Sequence, residues 1–405
     1  MGHGRNFNLL FSAFFVSSVG DWIFRLAIPI VIYDVTGSPL AMALAYACTF
    51  LPVFLIMPIG GVVADHYDRK KLLIIGDLLS ALVCVILAIE VHYLSQDNIW
   101  IIFPTILALS SVTSVYHPTF QSVVPTLVAT EKLPRANSMV FAADNLINIL
   151  GPLSGGLVVA TLGGVGAMVF DSFTYLTSLI ILLGITIPSL KRIHEKFSVG
   201  LIVDRLQDGF TLAVSNPIIK YGTILFVFAN FSTHLVVGNL VYFLANDIGL
   251  DAKGIGVTIA LTGIGGLLGA IIAPKLILRF PNGVLMLVSI GVGGFVTLML
   301  LFVHDSYSVA SIRGTSMALE AVVVITMFTL RQRIVPAGFL GRTVAITRAI
   351  SFSSIPIASV VGGWLIQYTG GMTMVIVTSG AVLIVTSIWG WFTPFPTAEL
   401  RYQTG

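Results

Sequence analysis

The sequence predicts an all-α membrane protein with twelve transmembrane helices in two pseudo-symmetric six-helix bundles. The first observation behind this prediction is composition. Of the 405 residues, 56% are hydrophobic and only 10% are charged, whereas soluble globular chains carry about 25% charged residues. The second is a series of long apolar runs, and the third is a repeat between the two halves of the chain.

The apolar runs have the length of membrane spans. A helix rises about 1.5 Å per residue and needs about 20 apolar residues to cross the hydrocarbon core. The runs are continuous rather than alternating in polarity, which favours helices over strands. The predicted spans are 8–33, 39–63, 72–94, 99–122, 135–160, 164–188, 217–245, 252–278, 282–303, 307–332, 340–367 and 371–393.

The basic loop residues indicate the orientation of these spans. With twelve spans, nearly all of them fall on one side of the membrane, including Arg331 and Arg333, and only Lys253 lies clearly on the other. The positive-inside rule therefore predicts that both termini are cytoplasmic. The formal charge of +3 is too small to indicate a nucleic-acid partner.

A repeat supports the division into two bundles. Arg135 precedes the pair Gly155-Gly156 by 20 residues, and Arg342 precedes Gly362-Gly363 by the same interval. A Val-Pro pair also stands before each arginine. We therefore predict an N-terminal bundle over 1–188, a linker over 189–216 and a C-terminal bundle over 217–405.

The linker itself has a helical pattern of apolar residues. Leu201, Leu206, Phe210 and Val214 lie near one face of such a helix, with Asp204, Gln207 and Asp208 elsewhere. This pattern predicts an interfacial helix between the bundles. A frayed linker is the alternative.

The stretch GGVVADHYDRKK, between the second and third spans, concentrates charge in an apolar chain. Gly61 allows close helix packing, and Asp65 at the membrane boundary can accept hydrogen bonds from Arg69 and from helix N-terminal amides. These groups would form a latch on the cytoplasmic face. The alternative is that they are ordinary positive-inside anchors.

This stretch resembles the motif that the major facilitator superfamily carries between its second and third helices. Asp68, where the superfamily usually has glycine, makes the stretch similar to the branch that exports macrolides and enterobactin. The resemblance implies a gating role for the motif at the cytoplasmic rim, and we add the two repeated arginines to it. The predicted gating residues are Gly61, Asp65, Asp68, Arg69, Lys70, Arg135 and Arg342.

The fifth span carries a second resemblance, in NILGPLSGG. Gly151, Pro152, Gly155 and Gly156 match the core of a motif found in the exporters of this superfamily. Proline removes a backbone hydrogen bond, and glycines permit a bend and close helix contact. The motif implies export.

Charged residues inside the spans are candidates for proton coupling, because such charges are costly and usually functional. The candidates are Asp21, Arg25, Asp144 and Glu320. The alternative for Asp21 and Arg25 is an ion pair that only orients helices. We place Asp77, Glu90 and Asp171 near helix ends, at the interface. Ser110 and Ser111 stand where exporters often have a coupling arginine.

The resemblance also implies that helices 1, 4, 7 and 10 line a cavity for a small-molecule substrate. The predicted contacts are Trp22, Phe24, Tyr116, His117, Phe228, Asn230, His234, Asn239, Arg313 and Glu320. We expect this cavity to be largely apolar, with few polar groups.

Together these features predict a secondary transporter that exports a small organic compound by alternating access with proton antiport. We expect no cofactor apart from a proton gradient, no metal site, a monomer, and a place in a bacterial cytoplasmic membrane. Neither a nucleotide loop nor a metal-ligand cluster points to an enzyme or a primary pump. A lysophospholipid flippase, a proton-independent facilitator or uptake carrier, and a receptor remain as alternatives.

Overall fold

The structure is a computed structural model that describes residues 4–129, 133–187, 207, 210–335 and 337–396. Within these ranges the chain forms helices joined by short turns, and no strand occurs. The predicted all-α class is confirmed. By contacts the chain divides into two compact units, Met1–Ser198 with Asp251–Ala260, and Val199–Leu250 with Leu261–Gly405.

The first unit is built on one long helix. Its helices are α1 (Arg5–Thr36), α2 (Pro39–Leu55), α3 (Met57–His66), α4 (Arg69–His92), α5 (Ile102–Leu127) and α6 (Leu133–Leu183). Helices α1 and α4 both pack along α6, while α2 and α3 pack on α5.

The second unit contains the remaining helices. They are α7 (Pro217–Val237), α8 (Ala252–Ile277), α9 (Asn282–Leu298), α10 (Ser306–Ile334), α11 (Ala337–Phe352), α12 (Ser354–Thr369) and α13 (Thr373–Trp391). The first residues of α8, up to Ala260, belong to the first unit. Helix α13 packs on α7 and α9, and α12 packs on α7.

In the part of the chain that the structure describes, ten helical stretches are long and apolar enough to cross a membrane. They are Arg5–Thr36, Arg69–His92, Ile99–Leu127, Leu146–Leu183, Pro217–Asp247, Ala252–Ile277, Asn282–Phe302, Ser306–Arg331, Ile346–Thr369 and Thr373–Trp391. Pro39–Val53 is a shorter apolar helix. The predicted second span therefore appears as two shorter helices, and the predicted fifth and sixth spans share α6.

The long helix α6 changes direction at one glycine. Gly163 has φ 69° and ψ −176°, the only non-helical backbone angles inside α6. Glycine adopts a positive φ without the steric penalty that a Cβ atom brings. Gly163 lies between the predicted spans 135–160 and 164–188, so the break occurs where the sequence indicated one.

Polar side chains cap several of the apolar helices. Asp68 accepts a hydrogen bond from the Lys71 amide at 3.1 Å at the start of α4. Asn216 accepts from the Ile218 and Ile219 amides at the start of α7. These caps satisfy backbone donors that a helix leaves free at its N-terminus.

Each unit has its own apolar core. In the first unit, Phe14 of α1 stacks on Phe120 of α5 with ring centroids 4.3 Å apart. In the second, Phe226, Met286 and Met327 are buried together. In water-soluble proteins, the burial of each large apolar side chain of this kind contributes about 1.5–3 kcal/mol to the free energy of unfolding.

Glycines let α8 approach α10 closely in the second unit. Gly265 and Gly269 lie one turn apart and face Gly314 and Ala318, and a Cβ atom at Gly269 would lie 2.6 Å from the Cα of Ala318. Small residues spaced by four are a common interface between membrane helices.

The predicted linker helix lies largely outside the described residues. Residue 207 and residues 210–215 are helical. Ala213 is buried against Ile219 and Val335, whereas Phe210 and Val214 are exposed. Leu201, Asp204, Leu206 and Asp208 lie outside the described residues.

Candidate functional site

Arg69 joins three helices at one end of the first unit. Its Nε donates to the carbonyl of Ala64 in α3 at 3.1 Å, and its Nη1 donates to the carbonyl of Ser122 in α5 at 2.9 Å. Lys70 Nζ donates to the carbonyl of Leu183, the last residue of α6, at 3.1 Å. Ala64 and Leu183 lie in the last turns of their helices, where positive charge is favourable.

The other predicted gating residues are described less fully. The side chains of Gly61, Asp65, Arg135 and Arg342 lie outside the described residues, so the Asp65–Arg69 contact stays a prediction. Asp68 caps α4, as given above. This hydrogen bond gives Asp68 a local structural role at the start of α4.

The glycines of the glycine-proline motif in α6 lie where other helices approach α6 closely. Gly151 faces Trp22 of α1, with a Cβ atom there 2.7 Å from the Trp22 Cβ. At Gly156, a Cβ atom would lie 2.6 Å from the carbonyl oxygen of Ala252 and 2.9 Å from the Cα of Gly256, all within the first unit. The backbone angles of α6 remain helical through Pro152 and Gly155.

A group of buried acidic side chains lies inside the first unit. Asp21 of α1 accepts a hydrogen bond from the hydroxyl of Tyr175 in α6. Asp171, which is fully buried, accepts from the Cys84 thiol at 3.4 Å and from the Thr174 hydroxyl at 3.2 Å. Gly20 provides the space for this arrangement, since a Cβ atom there would collide with Asp171 and Thr174.

Asp77 of α4 extends this group but has no hydrogen-bond partner. It is fully buried, and neither carboxyl oxygen forms a hydrogen bond of normal geometry, although the Ser178 hydroxyl lies nearby. The hydroxyls of Ser178 and Tyr116 are also buried without partners. Asp21 and Asp77 are close enough to interact electrostatically. Unpartnered buried polar groups cost about 1–3 kcal/mol and need an explanation.

Two other predicted coupling residues lie apart from this group. The Arg25 guanidinium is exposed and lies 6.0 Å from the ring centroid of Phe50. Among the described residues no ion pair joins it to Asp21. Asp144 is half-buried on α6, seven residues before Gly151.

The second unit contains a cavity of about 120 Å³. Most of its wall is apolar, and its polar lining includes Asn230, Thr233, His234 and Glu320. Helices α7, α9, α10 and α13 supply the wall. An apolar cavity with a few polar groups is the usual form of a small-molecule site.

One lining residue of this cavity, Glu320, forms an ion pair. Arg313 Nη1 and Glu320 Oε1 are 3.1 Å apart, with the Arg313 side chain 6% exposed and that of Glu320 32% exposed. The Thr233 hydroxyl donates to the same Glu320 oxygen at 3.3 Å. Arg313 and Glu320 lie two turns apart on α10, so one helix presents both charges.

The remaining predicted contacts are divided between the two units. Phe24 and Asn239 are buried, and Asn239 donates to the carbonyls of Leu235 and Ser359. His117 packs edge-on against Phe14, with ring centroids 5.8 Å apart. Phe228 is 46% exposed and lines a separate apolar groove with Trp389.

Comparison with known proteins places this arrangement in a family. The sequence model of a family described as transmembrane secretion effector matches residues 3–404. The chain belongs to this family, within the major facilitator superfamily.

Curated relatives of this superfamily member are similar at low identity. An uncharacterized MFS-type transporter YfiS of Bacillus subtilis (strain 168) is 23% identical over 388 residues, covering 92% of this chain and 89% of the relative. The enterobactin exporter EntS of Escherichia coli O1:K1 / APEC is 26% identical over 351 residues, covering 83% and 79%.

Solved structures have the same fold. A D-xylose-proton symporter aligns with TM-score 0.72 and 13% identity, covering 97% of this chain and 98% of that one. At this identity the likeness concerns the fold alone.

For this transporter, the placement of two acidic residues by sequence was wrong. Asp77 and Asp171 were expected near helix ends, but both lie well inside their helices and are fully buried. The cap at Asp68 shows why, because α4 starts at Arg69 and Asp77 lies eight residues, or roughly 12 Å, beyond it. An Asp preceding Arg-Lys-Lys is a helix-start signal that could have corrected the boundary. Glu90 does lie near the end of α4 and accepts from Thr105.

Sequence reasoning also missed Thr233 and Ser316 of the cavity. Thr233 directly precedes His234, and Ser316 lies one turn before Glu320. Small hydroxyl residues are common in membrane helices, so they carry no signal until the helical phase is known.

Proposed function

We propose that this protein is a secondary active transporter that exports a small organic compound by alternating access, driven by proton antiport. The observation that carries the proposal is the cavity of the second unit, in which Glu320 and His234 lie on a mainly apolar wall. Membership of a secretion effector family and the similarity to an enterobactin exporter favour export.

The ion pair of the cavity suits a coupling role. When Glu320 is ionised, it neutralises Arg313 and accepts from Thr233. When Glu320 takes up a proton, the attraction to Arg313 is lost and the guanidinium becomes available to a substrate. If the cavity opens alternately to the two sides of the membrane, Glu320 would carry a proton in one direction and Arg313 would help to carry the substrate in the other.

In the first unit, Asp21 is the matching candidate, and the structure adds Asp77 and Asp171 to it. These groups lie among hydroxyls that can relay a proton, those of Tyr175, Ser178 and Thr174. Intramembrane carboxyl groups of this kind mark proton relays in transporters. The proposal assigns no resident cofactor and no metal, only a proton gradient.

The proposed architecture is twelve spans in two six-helix bundles, 1–188 and 217–405, joined by the linker 189–216. Helices α2 and α3 together would form the second span, and α6 would supply the fifth and sixth on either side of Gly163. We further propose a monomer in a bacterial cytoplasmic membrane with both termini in the cytoplasm, as the positive-inside rule favours.

The latch at the cytoplasmic face remains part of the proposal. Arg69 already binds two helix carbonyls, which holds its guanidinium beside the segment that carries Asp65. An aspartate there would complete a charge-assisted contact that closes one face of the transporter. Gly61, Lys70, Arg135 and Arg342 belong to the same proposed rim.

A transport assay in proteoliposomes tests this function. Purified protein would be reconstituted with an imposed proton gradient, and movement of catecholate siderophores, macrolides, dyes and lysophospholipids measured. We expect movement of a siderophore or drug that stops when the gradient is collapsed. Glu320→Gln and Asp21→Asn should lose the gradient-driven component, while the exposed loop variant Asp97→Asn should keep it.

Other outcomes separate the alternatives. Transport of equal rate with and without the gradient would make the protein a facilitator, and movement of lysophospholipid alone would make it a flippase. Binding without any movement would indicate a receptor. Wild-type behaviour of both carboxyl variants would refute the coupling roles.

A further inference from the structure

Arg331 is a buried cation that the proposed function does not use. It lies near the end of α10 and is only 2% exposed, so its guanidinium does not reach water. Its Nε and Nη2 atoms are buried and have no hydrogen-bond partner. The guanidinium carbon lies 5.9 Å from the ring centroid of Phe226 on α7, a contact that orients the group but satisfies none of its N–H donors.

A second arginine lies close to the first. Arg348 of α11 is near enough to act electrostatically on Arg331. Its guanidinium carbon lies 5.4 Å from the ring of Phe328 and 5.5 Å from that of Phe352. Phe328 stands three residues before Arg331 on α10, and residues at this spacing share a helix face. Two aromatic rings therefore hold Arg348 beside the face that carries Arg331.

Among the side chains that the structure describes, no acidic group pairs with either arginine. The ion pair described in this unit, Arg313–Glu320, involves neither of them. Arg348 is exposed, but its charge repels that of Arg331, and a buried arginine such as Arg331 without a described counterion carries an uncompensated desolvation cost. The same three helices α7, α10 and α11 also carry buried hydroxyls without partners, at Thr223, Thr326 and Thr343.

The position of the pair connects it to the cavity. Phe226 contacts Arg331 on one side and lines the cavity of about 120 Å³ on the other. A ligand anchored at the arginines would therefore lie next to the cavity wall. Guanidinium groups present forked N–H donors that match the oxygens of carboxylate and phosphate groups.

We propose that Arg331 and Arg348 form a binding site for an oxyanion group, the carboxylate or phosphate of an organic anion. Such a group would satisfy the free Nε and Nη2 donors of Arg331 and neutralise the repulsion between the two cations. Where the bound anion is the transported compound, this inference rests on the proposed function and narrows its substrates to organic anions. A lipid headgroup offers the same oxygens.

Binding by non-energised protein tests the site without requiring transport. Purified protein in detergent, in a chloride buffer free of other oxyanions, would be heated with increasing benzoate, salicylate or inorganic phosphate. Nanodiscs of phosphatidylglycerol and of phosphatidylcholine would supply the lipid arm. We expect the unfolding temperature of the wild type to rise with at least one oxyanion. A response to the soluble anions identifies a solute site, and a response confined to phosphatidylglycerol identifies a headgroup site.

Variants distinguish this site from a structural charge. Arg331→Met should unfold no earlier than wild type without anion, because it removes an unpaired buried charge, and it should not respond to anion. Arg348→Gln, which alters an exposed side chain, should weaken binding about tenfold or more, as expected for loss of a charge-assisted hydrogen bond. Arg279→Gln, an exposed arginine after α8, should bind as wild type does.

Three results would overturn the proposal. One is a wild type that responds to none of the anions or lipids. Another is an equal response in wild type, Arg348→Gln and Arg279→Gln. The third is an Arg331→Met variant that folds and still binds like wild type. If Arg331→Met fails to fold, Arg348→Gln alone decides. Failure of transport in proteoliposomes would leave the binding result unaffected.

Discussion

Single residues carry the chemistry of the second unit, and Glu320 is the clearest case. Its carboxylate accepts from both Arg313 and Thr233, while Arg313 itself is almost fully buried. Among the described residues Glu320 is the carboxylate that pairs with this guanidinium, and Arg313 Nε has no partner of its own. The pair should therefore act as a unit in both stability and coupling.

Glu320→Gln should lower the free energy of unfolding by about 2 kcal/mol, since it leaves the Arg313 charge uncompensated. The loss stays below that for a fully buried pair because the Glu320 side chain is 32% exposed. Thermal unfolding in detergent measures it. Arg313→Met combined with Glu320→Gln should recover most of the loss. Additive effects of the two changes would show that the residues do not interact.

Asp77 and Asp171 should respond differently to the same substitution. Asp77→Val removes a carboxyl group that forms no hydrogen bond, so the unfolding temperature should not fall. Asp171→Val leaves the Cys84 thiol without its acceptor, while the Thr174 hydroxyl keeps the Asp171 backbone carbonyl at 2.8 Å, and the change should cost about 1–2 kcal/mol. Thermal unfolding of the two variants makes the comparison. A larger loss for Asp77→Val would contradict the assigned contacts.

At the scale of single residues, the sequence identified the acidic and basic groups inside the spans but did not predict all of the residues that contact them. Glu320, Arg313, Asn230 and His234 were candidates because charges and amides inside apolar spans are uncommon, and the structure brings them to one cavity or its edge. Phe228 and Asn239 lie close together in the sequence, yet Phe228 is exposed and Asn239 is buried and donates to helix carbonyls. The difference depends on which face of the helix each residue occupies, and the identity of a single residue does not reveal that face.

Individual helices add constraints of their own, and the glycines of α6 give a matched pair of positions for testing them. Gly156→Ala would place a Cβ atom 2.6 Å from a backbone oxygen, which must move. We expect a loss of about 1–3 kcal/mol from this overpacking. Gly155→Ala is the matched control, because its nearest atom is the end of the Leu26 side chain at 3.3 Å. Thermal unfolding that ranks the two variants in the opposite order would exclude this packing.

The cap of α10 should make stability depend on acid pH. Hydrogen bonds from the Ser308 hydroxyl, the Ser308 amide and the Tyr307 amide hold the pKa of Asp305 below its usual value. A carboxyl group with a lower pKa in the folded state stabilises the fold above its unfolded pKa, and this contribution is lost as pH falls through the folded pKa.

We therefore expect Asp305→Ala to unfold at a lower temperature than wild type at pH 7, with the difference shrinking toward pH 3. Asp305→Asn, which can cap without titrating, should show a weaker pH dependence than wild type. Unfolding scans across pH compare the three proteins. An unchanged difference between wild type and Asp305→Ala at every pH would rule out the titration.

The helices themselves were largely predictable from sequence. Predicted boundaries such as 252–278 and 307–332 agree closely with α8 and α10, because long apolar runs form helices that satisfy their own backbone hydrogen bonds. The break at Ile56 was not predicted, although Pro52 lies just before it within α2. A proline in a membrane helix can kink it or be tolerated, so its presence alone does not decide.

The membrane topology of the whole molecule can be tested by cysteine labelling. Single cysteines at Asp97, Leu162 and His304, in a background without Cys48 and Cys84, should react with a membrane-impermeant maleimide added outside intact cells. A cysteine at Arg279 should react only after permeabilisation. Labelling at Leu162 from outside would show that α6 crosses the membrane twice. Labelling at all four positions from one side would refute the twelve-span arrangement.

By itself the sequence determined that this chain is helical, that it has the length and apolarity of a membrane protein, and which superfamily it resembles. Those properties depend on local composition and on short motifs such as GGVVADHYDRKK. The tertiary structure alone decided which faces of the helices turn inward, and so revealed buried Asp77, Asp171 and Arg331. In a membrane the lipid-facing and core-facing sides of a helix are equally apolar, so the hydrophobic pattern that shows the inner face of a soluble helix is absent.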